Sequence, residues 1–139
     1  MNNFKFYNPT KIIFGAGAIK ELAGEIPQNA RVLITYGGGS VRKNGVLEEV
    51  YEALQGFETG EFGGIEPNPS YETLMRCVEK VRQDKFDFLL AVGGGSVIDG
   101  TKFIAAAVPY QAEAWEIVKT RACKVVNSLT FGTVLTLPA

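Results

Sequence analysis

A buried run ending in three glycines dictates much of what this chain can fold into. Phe88 to Lys102 reads FLLAVGGGSVIDGTK. Phe88, Leu89, Leu90, Ala91 and Val92 form an apolar run of strand length, suited to a strand covered on both faces. Gly93, Gly94 and Gly95 carry no Cβ, so the backbone can turn sharply there and a ligand can come close. The helix expected behind them points free N–H groups and a positive dipole end at that ligand, which suits phosphate. A shorter copy lies earlier in the chain: LITYGGGSV from Leu33 matches LLAVGGGSV from Leu89. Two such loops, each after an apolar run, point to a phosphate-rich ligand.

The rest of the chain alternates in a way that supports this reading. Phe4 to Phe14 gives two short aromatic and β-branched runs around Asn8 and Pro9, read as two strands with a break. They cover the sheet edge or pair with a second subunit. Ala18, Ile19, Leu22, Ala23 and Ile26 fall at helical spacing, with Pro27 beyond the stop. Arg31 to Tyr36 is a strand, and Val46, Leu47, Val50, Tyr51 and Leu54 form a helical stripe. Phe57 to Ile65 is a weak strand, loosened by Gly60, Gly63 and Gly64. Glu66-Pro67-Asn68-Pro69-Ser70 is a stiff loop, with Ser70 placed to cap a helix from Tyr71 to about Asp84. It reads as a simple turn or as part of a ligand site at a strand end. Phe86 to Val92 is the central strand and Ser96 to Val108 its helix. Glu113 to Lys119 suits a short helix. Cys123 to Leu137 reads as two strands, the second from Thr133. This order predicts an α/β fold, a Rossmann-like parallel sheet with helices on both faces, carrying both glycine loops on one edge.

Composition excludes several functions. The net charge of −1 gives no footprint for nucleic acid. No apolar run approaches the roughly 18 residues needed to span a membrane, and MNNFKFYNPT lacks the core of a signal peptide. Cys77 and Cys123 stand apart, outside any CxxC pattern, which suits reduced thiols and a cytoplasmic protein. There is no histidine, so a zinc or iron site built within this chain is not expected. The 139 residues suffice for one domain. The stop at LTLPA, straight after an apolar run, reads as a fragment of something longer.

The usual GxGxxG fingerprint with its distant acid is absent. Two loops can instead divide a dinucleotide. Gly93 to Ser96 is placed for the pyrophosphate, and Gly37 to Ser40 for the adenosine ribose. An acid at that ribose selects NAD. Here the loop offers glycines and the Ser40 hydroxyl, with Arg42 and Lys43 just beyond. That favours a 2′-phosphate, hence NADP(H), although the two cations read equally as a solvated helix face. Asp99 lies in the first turn after Ser96. It serves the helix terminus or points into the cleft, with Lys102 as its partner or a phosphate's.

GGGSVIDGTK closely resembles the GGGSxxDxxK motif of the iron-containing, or group III, alcohol dehydrogenases. PTKIIFGAGAI is similar to that family's opening segment, EPNPS to its PNP loop, and TVLTLPA to a later strand. ITYGGGSVRKNGVLEEV is most similar to the NADPH-dependent aldehyde reductase and butanol dehydrogenase branch. The resemblance implies that residues 1–139 are an N-terminal, dehydroquinate synthase-like dinucleotide-binding domain. It implies that Gly38, Gly39 and Ser40 meet the 2′-phosphate side, and that Gly94, Gly95 and Ser96 hold the pyrophosphate. Asn68 and Asp99 then lie toward the ribose and nicotinamide, and Thr136 borders the cofactor. Ala139 stands where many members carry a threonine. The family's helical domain, which holds iron or zinc through an aspartate and three histidines, is missing. This chain alone is therefore not expected to transfer hydride to or from its small alcohol or aldehyde. The readings weighed against this are a nucleotide-binding module without catalysis and a glycerol dehydrogenase-like fragment.

Overall fold

The computed structural model describes residues 3–136. A 3₁₀ turn at Ala18–Glu21 runs into α1, Leu22–Glu25. Then follow β1 (Arg31–Tyr36), α2 (Ser40–Lys43), α3 (Val46–Ala53), β2 (Glu58–Phe62), α4 (Tyr71–Asp84), β3 (Phe88–Gly93), α5 (Gly95–Ala107), α6 (Trp115–Lys119) and β4 (Thr130–Leu135). The four strands form one sheet in the order β2-β1-β3-β4. Every pairing is parallel, as strands joined through helices require.

Strand alternation sorts the core onto two faces. Val32, Ile34, Tyr36, Phe88, Leu90 and Val92 pack with Ile26, Leu47, Val50 and Leu54 from the helices on one side. Leu33 and Leu89 face the other side, against Leu74, Val78 and Val81 of α4 and Ile104 of α5. β1 and β3 are thus covered on both faces, and every residue of β3 is buried. Leu74, Val78 and Val81, at helical spacing, form the buried face of α4. Ser70 begins the helix, its side-chain oxygen accepting from the Thr73 N–H at 3.2 Å.

Gly60 in β2 and Gly63 just beyond it do more than loosen the strand. A Cβ on Gly60 would fall 2.4 Å from the Phe86 ring, and one on Gly63 would fall 2.5 Å from the Tyr36 ring. Their missing side chains make room for two core aromatics.

Two hydroxyls tie β1 to α5. Thr35 and Thr101 are fully buried, with oxygens 2.6 Å apart. Thr101 donates its proton to the Val97 carbonyl at 2.8 Å, so Thr35 donates to Thr101. Thr101→Val therefore leaves a buried donor without a partner, at a cost of about 1–3 kcal/mol. Thr35→Val leaves Thr101's donation intact and is expected to cost less. Urea midpoints of the two variants check this asymmetry.

Two expectations are corrected. Phe4 to Phe14 forms no strand among the described residues, and Phe4, Phe6, Tyr7, Ile12 and Phe14 are largely exposed. A strand needs a neighbouring ladder, and this segment lies beside none. Cys123 to Leu137 holds one strand rather than two. Arg121 and Ala122 take left-handed conformations, with φ of 50° and 61°, and residues 123–129 carry no strand before Thr130. Leu137 lies outside the described residues.

Candidate cofactor site at the sheet edge

The register aligns the strand ends. Thr35 pairs with Phe62, Tyr36 with Val92, and Gly93 with Leu135. The segments leaving β1, β2, β3 and β4 therefore emerge along one edge. This is the carboxyl end of a parallel sheet, where open α/β folds bind ligands.

Hydrogen bonds draw these segments together. The Gly64 N–H donates to the Gly37 carbonyl at 3.0 Å, and the Ile65 N–H to the Tyr36 carbonyl at 3.2 Å. The Asn68 N–H donates to the Ser96 hydroxyl at 3.4 Å. The Thr136 N–H donates to the Gly93 carbonyl at 3.1 Å. The loop after β2 thus bridges the two glycine turns, and Thr136 adjoins the second.

The second turn feeds directly into α5. Gly94 is extended at its cap, with φ −91° and ψ −170°. Gly95 and Ser96 then open a thirteen-residue helix whose first N–H groups have no intrahelical acceptor. A Cβ on Gly95 would meet none of the described residues within 4 Å, and the same holds for Gly38. Both turns therefore leave open space beside bare backbone, as close approach of a phosphate demands. The first turn differs: α2 behind it is a single turn, and Gly39 takes a left-handed φ of 98°.

The predicted polar residues fare unequally. Asp99 is exposed, 3.6 Å from Lys102. This is a surface pair of little stabilising value, leaving the carboxylate accessible one turn along α5. Arg42 is not a free cation. Its guanidinium donates to the Tyr36 hydroxyl and pairs with Glu61. Tyr51 donates to the other oxygen of Glu61 at 2.7 Å. That bond, with Arg42 nearby, lowers the Glu61 carboxyl, while burial and the same bond push Tyr51 up to about 12. Glu61 thus stays charged and offsets Arg42. Lys43 makes no ion pair among the described residues.

Sequence reasoning passed over Glu61 and Glu66. Glu66 Oε1 accepts from the Ser70 N–H at 3.1 Å and the Thr73 hydroxyl at 3.0 Å. Its own backbone N–H, then Ser70 and Thr73, lower its carboxyl to about 2. Its place four residues before a cap serine was the available signal.

A metal finds no home in these residues. The chain has no histidine, and no group of three His, Cys, Asp or Glu comes together among the described residues.

The model of the iron-containing alcohol dehydrogenases matches residues 9–139. The chain belongs to that family. It is 59% identical to the NADPH-dependent aldehyde reductase YqhD of Escherichia coli, over all of this chain and 36% of that protein. It is 47% identical to a probable NADH-dependent butanol dehydrogenase 1 of Bacillus subtilis, again over all of this chain and 36% of the relative. A solved structure of the Escherichia coli aldehyde reductase, free of substrate and cofactor, superposes with a TM-score of 0.96 at 58% identity. It covers 99% of this chain and 37% of that one. The Thermotoga maritima NADH-dependent butanol dehydrogenase A superposes at 0.91 with 39% identity, over all of this chain and 36% of that one. The chain thus spans little more than a third of these family members. Their names divide between NADPH and NADH, so family membership alone does not choose the cofactor.

Proposed function

We propose that this chain is the NADP(H)-binding domain of a metal-dependent alcohol dehydrogenase or aldehyde reductase, acting on a small alcohol or aldehyde. The observation that carries this reading is the pair of bare glycine turns on adjacent strand ends, bridged by the loop after β2. NADP(H), when bound, supplies or accepts the hydride. Gly94, Gly95 and Ser96 hold the pyrophosphate at the start of α5. Gly38, Gly39 and Ser40 receive the adenosine side. Asn68, Asp99 and Thr136 border the remainder, toward the nicotinamide.

The choice of NADP(H) rests on the first turn. Gly38, Gly39 and Ser40 offer no carboxylate to repel a 2′-phosphate, and Lys43 is available nearby. Arg42 contributes less than its position suggests, because Glu61 holds it.

The iron or zinc that polarises the substrate oxygen in this family does not fit the residues described here. It belongs to the part of the relatives' length that this chain does not span, as does much of the substrate pocket. The exposed aromatic segment before Gly15 suits pairing with a second copy, giving a homodimer. Cys77 suits a reduced, cytoplasmic protein: it is fully buried and unpaired, and burial pushes its thiol up to about 12.

The test is hydride transfer. NADPH oxidation is followed at 340 nm with short-chain aldehydes. The 139-residue chain is expected to show no turnover. The same chain continued through the full length of its relatives, and loaded with iron or zinc, is expected to be active. An inactive long form that still binds NADPH would favour a binding module instead.

A further inference from the structure

The loop from Glu66 to Ser70 lies against the second glycine turn, through the Asn68 N–H on the Ser96 hydroxyl, and its shape needs an explanation. Pro67 and Pro69 each have φ fixed by their rings. Asn68 between them takes up the turn, in a left-handed conformation with φ 52°. This conformation is unfavourable for a non-glycine residue, less so for asparagine than for most. In that position the Asn68 N–H reaches the Ser96 hydroxyl at 3.4 Å, where α5 begins.

The Glu66 carboxylate closes this loop. It grips Ser70 and Thr73 through one oxygen. The Ser70 hydroxyl donates to Thr73 Oγ1 at 3.1 Å, and Arg76 donates to the same oxygen at 3.2 Å, leaving the Thr73 proton for Glu66. The start of α4 does not need this carboxylate, because the Ser70 oxygen already accepts from the Thr73 N–H. Glu66 Oε2 is buried without a partner among the described residues, an arrangement that favours no helix cap on its own account. What Glu66 adds is a link between the loop's first residue and its last.

We propose that Glu66 is a positioning residue for the cofactor, holding the loop closed so that Asn68 stays against Ser96. The inference rests on the reading that Asn68 borders NADP(H). Hydrogen bonds keep the carboxyl ionised far below neutral pH, so the clasp is unchanged across the working range.

A double-mutant cycle on the full chain tests this, read as the NADPH dissociation constant by fluorescence titration with melting temperature measured in parallel. Asn68→Gly tolerates the left-handed backbone and removes the side chain. It is expected to weaken NADPH at least about tenfold, while the backbone N–H that reaches Ser96 is kept; no change would refute the role of the Asn68 side chain. Glu66→Ala is expected to weaken NADPH about tenfold in the native background and less than about twofold beside Asn68→Gly, because it acts through that residue. Glu66→Gln keeps an accepting oxygen and is expected to bind within about threefold of the native chain. If Glu66→Ala does not fold, Thr73→Val, which removes a donor to the carboxylate at nearly constant shape, replaces it in the same cycle. Equal losses in both backgrounds, or a lowered melting temperature with unchanged NADPH binding, would overturn the proposal.

Discussion

Gly95→Ala is expected to leave the stability of the domain unchanged and to weaken dinucleotide binding at least about tenfold, or roughly 1.4 kcal/mol. The reasoning is geometric. A Cβ at Gly95 meets none of the described residues within 4 Å, and alanine is favoured over glycine in a helix. The methyl group instead enters the open space in which a pyrophosphate would approach the first N–H groups of α5. Gly93→Ala gives the contrasting result. Its Cβ would lie 2.9 Å from Val97 Cγ2 and 3.1 Å from Val97 Cβ. Val97 is buried and β-branched, so it has little freedom to move aside. Relief requires shifting the end of β3 or the start of α5, at a cost of about 1–3 kcal/mol. That variant is expected to lose both stability and affinity. Chemical denaturation and NADPH titration of both variants separate the two effects. Equal stability losses would show that the second turn serves folding alone.

Gly39→Asp is expected to invert cofactor choice. A Cβ there would meet none of the described residues within 4 Å. The left-handed φ of 98° imposes a strain of about 1–2 kcal/mol. The new charge would repel a 2′-phosphate and offer an acceptor to a 2′-hydroxyl. The ratio of NADPH to NADH affinity should fall by roughly a hundredfold, the product of a tenfold loss and a tenfold gain. Gly39→Asn is the control, since asparagine takes the same backbone without the charge. If the asparagine and aspartate variants shift the ratio equally, backbone strain is responsible and the phosphate assignment fails.

Particular residues explain what the sequence made legible. The run from Phe88 to Val92 is apolar throughout because β3 lies between two paired strands and two helical layers. Its glycine triplet follows at the strand end, so strand, turn and helix could all be placed. The helix from Tyr71 and its Ser70 cap are readable for the same reason, being local patterns. The region from Phe4 to Phe14 was misread because aromatic and β-branched residues report only that a strand would be favourable. Whether one forms depends on a partner, and none lies beside it here. The segment from Cys123 failed differently: consecutive left-handed residues at Arg121 and Ala122 carry no glycine or asparagine to announce them.

At the site, both glycine turns were legible as repeated motifs, while their connection was not. Asn68 and Ser96 meet only through the tertiary fold. Glu66 acts through a carboxylate that sequence alone cannot distinguish from a solvated one. The pairing of Arg42 with Glu61 was hidden because it crosses from α2 to β2. Net charge near the loop therefore overstated the cation available to a phosphate.

A first turn that accepts a 2′-phosphate, beside a second that holds the pyrophosphate, favours NADPH over NADH. Equilibrium titration of the native chain with NADPH and with NADH, under identical salt, tests it most directly. NADPH is expected to bind at least about tenfold tighter, a difference of roughly 1.4 kcal/mol. Equal affinities, or tighter binding of NADH, would contradict it.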